Sequence, residues 1–147
     1  GKPVRAIGED AFLDCDVLEE IVVPSTLTKI GKNAFKNCTS LKSFTIPEAT
    51  YEIGEGAFAY CSSLKELVIP STVTSLGKGV LYYCKSIEGF TFPESIKEVP
   101  DNMFYYCTSL EQVNLHEDMT AIGEYSFLGC SKLKGVLLGD KIEIVKK

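Results

Sequence analysis

No apolar run in the 147 residues approaches the roughly 20 needed to cross a bilayer as a helix. The opening residues Gly1-Lys2-Pro3-Val4 lack the charged-then-apolar layout of a signal peptide. An excess of positive charge is missing too: 15 Lys and Arg stand against 20 Asp and Glu, a formal charge of -5. That balance offers no electrostatic footprint for nucleic acid or for an anionic membrane surface. Histidine occurs once, at His116. There is no phosphate-cradling glycine loop, no serine elbow and no dinucleotide fingerprint. The usual routes to catalysis and cofactor chemistry are therefore closed, and the expectation is a chain without enzymatic activity and without cofactor or metal.

What is present is order along the chain. A length of 147 residues, 45% apolar and 24% charged, suits one soluble domain. Cys15, Cys38, Cys61, Cys84, Cys107 and Cys130 fall at a constant step of 23. A fixed step of this size is the signature of a repeat architecture. Other columns come into register on it. Phe12, Phe35, Phe58, Leu81, Phe104 and Phe127 lie three residues before each cysteine, and Leu18, Leu41, Leu64, Ile87, Leu110 and Leu133 three after.

Within one unit, Leu67 and Ile69 alternate with Glu66 and Val68, the period of a strand with one buried face. Pro24, Pro47, Pro70 and Pro93 close four of these strands, where the missing backbone donor costs little. A second short extended segment follows, as in residues 73–76, and Gly8, Gly31, Gly54, Gly77 and Gly123 mark a bend after it. The stretch 33–38 places Ala34, Phe35 and Cys38 at spacings that predict about one helical turn. One such coil cannot bury its apolar edge alone, so stacking must supply the core.

The pattern Ile-Gly-x-x-Ala-Phe-x-x-Cys-x-x-Leu-x-x-Ile/Leu-x-Ile-Pro, cleanest over residues 53–70, resembles the BspA-like (Treponema pallidum type) class of leucine-rich repeats. The resemblance implies an α/β repeat solenoid: a right-handed stack of about six 23-residue coils with a parallel sheet on the concave side. It also implies a bacterial cell-surface or secreted location, and an adhesion-type interaction module for host or microbial proteins or glycans. The alternative is a structural spacer or self-assembling stalk without its own ligand. Residues 1–147 are expected to form one domain, a piece of a longer protein, with 140–147 as a terminating strand. Departures from the pattern are Leu81 for Phe, Pro100 for Gly, and His116 and Gly139 for Pro.

The six cysteines share one inward column, which predicts free buried thiols; neighbours in such a column have nearly parallel side chains, poor geometry for a disulfide or for tetrahedral zinc. His116 sits at the far end of a strand from that column, too distant for a Cys-His pair. Two surfaces remain. The outward positions of the main strands, Glu20, Ser43, Thr45, Glu66, Val68, Thr91, Gln112 and Asn114, form one candidate face, whether as a ligand site or as an ordinary solvated sheet. The second is a tyrosine cluster of Tyr60, Tyr82, Tyr83, Tyr105 and Tyr106, either an interface or a stack that covers the turn edge. Protein or glycan is the partner class expected on either face, with no nucleic acid and no direct membrane insertion. Glu19, Lys42, Lys65, Glu88, Glu111 and Lys134 read as a ladder of modest charge pairing.

Overall fold

The computed structural model describes residues 1–147 as a right-handed parallel β-solenoid of about six coils. Its short strands are β1 (Ala6–Ile7), β2 (Lys29–Ile30), β3 (Glu52–Ile53), β4 (Ser75–Leu76), β5 (Gly89–Thr91), β6 (Glu98–Val99), β7 (Gln112–Asn114), β8 (Ala121–Ile122) and β9 (Ile144–Val145). All pairings are parallel, and each residue faces its equivalent one coil on, as Ile30 faces Ile53 and Phe90 faces Val113. The sheet orders are β1-β2-β3-β4, β6-β8-β9 and β5-β7. No helix is long and apolar enough to cross a membrane.

The second extended segment of each coil carries most of the backbone ladder, and its glycines explain why. A Cβ on Gly54 would lie 2.5 Å from the Lys32 nitrogen, and one on Gly77 2.3 Å from the Glu55 nitrogen. Only a residue without a side chain permits that approach. Gly31, Gly54, Gly77 and Gly123 each then donate an N–H to the preceding coil, at 2.8 Å in every case. Pro100 occupies the same column and has no proton to give, so the Leu76 carbonyl lacks its bond and β4 does not pair with β6.

The main strand, by contrast, is bridged only between β5 and β7. Elsewhere it keeps its alternation, with Phe44, Ile46, Leu67 and Ile69 buried and Val22 and Val68 outward. Backbone bonds there are sparse, Lys42 N–H to the Glu19 carbonyl at 3.0 Å being one. Side-chain columns do the stacking instead. Phe44 packs its ring at an angle against both Phe35 and Phe58, 5.0 Å from each, and Phe12, Phe35 and Phe58 stack nearly parallel at 5.2 and 5.3 Å. The core is one cluster of 32 buried residues running through all coils.

The segment expected to form a helical turn is a run of β-turns. Ala34, Lys36 and Cys38 donate three residues back within their coil, whereas Asn33, Phe35 and Asn37 donate to Glu55, Ala57 and Ala59 of the next. Alternate N–H groups leave the coil, so a helix cannot propagate. Left-handed residues every fourth position make this possible, with φ of 53° at Asn33 and 61° at Asn37. Asn tolerates that region, but Tyr60, Tyr83, Tyr106 and Tyr125 occupy it as well, where a bulky side chain is uncommon.

Candidate functional site

All eight outward main-strand candidates are exposed and lie on the same face. Ser43, Glu66, Val68, Thr91, Gln112 and Asn114 line a shallow groove of about 680 Å³, while Glu20 joins Ser43 and Thr45 in a smaller depression over the first two coils. Across β5 and β7 the Asn114 amide donates to the Thr91 hydroxyl at 3.0 Å and the Gln112 amide to the Asn114 carbonyl oxygen at 3.1 Å. These bonds fix polar groups at one end of the groove. Val22, Val68 and Leu137 stand 94%, 73% and 88% exposed on the same face, apolar groups that folding has left uncovered.

The charge ladder beside the groove pairs in part. Lys42 meets Glu19 at 2.7 Å and Lys134 meets Glu111 at 3.5 Å. The hydrogen bond from Lys42 pulls the Glu19 carboxyl below its ordinary pKa. Lys65 and Glu88 form no ion pair, and both border the groove with free charges. Their role as groove walls rather than ladder partners depends on side-chain reach that a one-dimensional column does not specify.

The five predicted tyrosines assemble on the other side, along the turn edge. Tyr60, Tyr83 and Tyr106 stack in a row at 5.0 and 5.2 Å, and Tyr82 stacks on Tyr105 at 4.7 Å. Because the rings cover one another's faces, the block presents mostly edges and hydroxyls. Burial raises the Tyr82 pKa, with Tyr60 and Tyr105 adding to the effect. The cluster shares no lining residue with the groove, so the two candidate surfaces are separate. A cavity of about 370 Å³ adjoins Tyr60 and Tyr82 and includes Asn33, Lys36, Gly56 and Gly79, which the sequence did not single out. The available signal was Gly in a column that otherwise holds Asn, Asp or Tyr.

The cysteines are free, and the four central ones are buried. Each thiol from Cys38 to Cys130 donates to the carbonyl of a residue in the preceding coil's Phe column, as Cys61 Sγ does to Phe35 at 3.1 Å. They are therefore donors as well as small apolar fillers. Burial pushes the Cys38 and Cys130 thiols up to about 11 and Cys61, Cys84 and Cys107 higher still. Thiols so held are protonated at neutral pH and poor nucleophiles. His116 Nε2 lies 2.7 Å from the Ile96 carbonyl, and its Nδ1 accepts the Asp118 N–H at 3.3 Å; a ring protonated on Nε2 satisfies both. It stitches two turns where other coils use Pro. No group of three or more His, Cys, Asp or Glu side chains could hold a metal ion.

Residues 5–134 match the family model for the BspA type leucine-rich repeat region in six copies. The chain belongs to the BspA-type leucine-rich-repeat family. Among solved structures, the BspA-type chain superposes on the leucine-rich repeat protein of Treponema pallidum with a TM-score of 0.93 at 31% identity, covering 99% of itself and 68% of that protein. A leucine-rich cell surface protein from Faecalibacterium prausnitzii A2-165 gives 0.81 at 34%, with 99% and 39% covered. A leucine-rich repeat protein from Bacteroides ovatus gives 0.76 at 28%, with 97% and 43% covered. The BspA-type chain thus spans less than half of two of these proteins. A comparison with curated proteins returns no match. Membership of this family places the BspA-type chain among non-enzymatic repeat proteins.

Proposed function

We propose that the chain is an extracellular interaction module of adhesion type, which holds a protein or glycan partner on the concave face of its main strands. The observation that carries this reading is the exposure of Val22, Val68 and Leu137 on a face whose other positions are Ser, Thr, Asn, Gln, Glu and Gly. Apolar groups set in a polar frame, beside the uncompensated charges of Lys65 and Glu88, form a surface suited to a partner of mixed character. The cell-surface description of the Faecalibacterium neighbour supports the location. Affinity per site would be modest and would grow by repetition of the coils.

The test is an array of extracellular-matrix proteins and glycans probed with the whole chain and with Val68→Lys and Thr91→Glu. Both substitutions lie on exposed positions and should leave the melting temperature unchanged, while a concave-face ligand should lose at least ten-fold in affinity. Retention of every array signal by both variants would remove the concave face from consideration. An array without any signal, together with end-to-end association in solution, would favour a spacer or stalk.

A further inference from the structure

The cavity beside the tyrosine block is built differently from the concave groove. Its floor is Gly56, Gly79 and Ala59, all buried, in columns that elsewhere carry Asp, Asn, Tyr, Lys or Leu. One face of Tyr82 is covered by Tyr105 in a near-parallel stack, at 7° between planes. On the opposite side coil 3 has Ala59 at the equivalent position and Tyr60 edge-on at 5.6 Å, and beside them the cavity reaches Tyr82. The block therefore leaves part of one ring face open, at a notch whose volume lies near the lower end of those that hold small ligands.

The charged groups around the notch are few, and one cation among them is unpaired. Lys36 has no carboxylate partner, and its Nζ lies 6.0 Å from the Tyr60 ring centre. Lys78 stands on the same rim, 3.4 Å from Asp101. Asp101 offsets Lys78, so Lys36 is the one unpaired cation of the lining and Glu55 its one carboxylate. Asn33 and Asn102 border it with amides that donate and accept.

We infer that this notch is a subsite for one acidic sugar, a hexuronate within a glycan chain. Its carboxylate meets Lys36, its ring C–H face lies on Tyr82, and its hydroxyls bond to Asn33, Glu55 and Asn102. An open aromatic face accepts the weakly apolar side of a pyranose, and convergent amides, a carboxylate and an unpaired ammonium match its alternating hydroxyls and its charge. Gly79 is the residue that keeps the notch open. Asn33 and Asn102 adopt the same left-handed backbone at φ of 53° and 57°, so the column does not require glycine for conformation. A Cβ at Gly79 would make only ordinary contacts, 3.5 Å to Tyr82 Cβ.

This subsite stands apart from the concave face, and its test is independent. The whole chain is titrated with methyl β-glucuronide and with neutral methyl β-glucoside while the tyrosine ring resonances are followed by NMR. Saturable binding of the glucuronide with a Kd of about 1 mM is expected, at least ten-fold tighter than the glucoside. Gly79→Asn should fold with a slightly lowered melting temperature and weaken the glucuronide at least ten-fold. Lys36→Gln should bring the two sugars to equal affinity, and Val68→Lys should change neither. Equal binding of both sugars, no saturable shift, or an undiminished Gly79→Asn protein would overturn the subsite. If Gly79→Asn does not fold, Lys36→Gln alone decides: preference for the acid surviving it would be equally fatal.

Discussion

At the scale of single residues, two columns hold more chemistry than their apolar pattern suggests. The buried thiols are hydrogen-bond donors, so removing one leaves a small void and takes one of two bonds from a carbonyl, as at Phe35, which also accepts the Cys38 N–H. Cys61→Ala should lower stability by about 1.5 kcal/mol, read from urea unfolding. The thiol pKa values give a sign for alkaline pH. A folded-state value of about 11 at Cys38 and Cys130, against an ordinary value of 9.0, means the native chain holds these protons longer than the unfolded chain. Their contribution is complete below pH 9 and is lost as pH rises from 9 through 11. The urea midpoint should therefore fall across that window, with a shallower slope in Cys38→Ala. A thiol reagent on the native chain should label the half-buried Cys15 first, Cys130 more slowly, and spare Cys61, Cys84 and Cys107 until unfolding. Tyr83 offers a further check, because its ring is stacked on both sides while its backbone is held at φ of 58°. Tyr83→Ala and Tyr83→Gly both forfeit the stacks, but only Ala retains the left-handed cost. The Gly variant should be the more stable of the two by about 1 kcal/mol.

At the scale of elements, each coil is held on one side by glycine-permitted backbone bonds and on the other by interlocking side chains. Gly77→Ala places a methyl group inside the backbone of the preceding coil and should cost roughly 3 kcal/mol, with a corresponding drop in melting temperature. The same column explains the one seam in the ladder. Where Pro100 stands, β4 and β6 are unbridged, and amides flanking that junction should exchange with deuterium sooner than those between β2 and β3. Uniform exchange along the stack would contradict this account of the seam. Both effects were present in the sequence as a glycine column with one proline in it, yet their meaning required knowing that the glycines face the previous backbone.

At the scale of the whole molecule, the solenoid is nearly one-dimensional, since every coil touches only its neighbours. Leu64→Ala should cost about 3 kcal/mol and loosen hydrogen exchange chiefly in coils 2 to 4, not throughout the chain. The 23-residue period determined by itself the coil number, the inward columns, the free buried cysteines and the separation of an outward sheet face from a tyrosine edge. These follow from periodicity, because in a repeat a residue's column fixes its neighbours. Only the tertiary structure decided which of the two extended segments would carry the backbone ladder, that a run of β-turns would replace the expected helical turn, that Lys65 and Glu88 would stay unpaired, and that Ala59 would leave part of one face of Tyr82 open. Each of those depends on the distance between adjacent coils and on the size of the side chain one coil away. Periodicity names the neighbours of a residue but does not set how closely they approach.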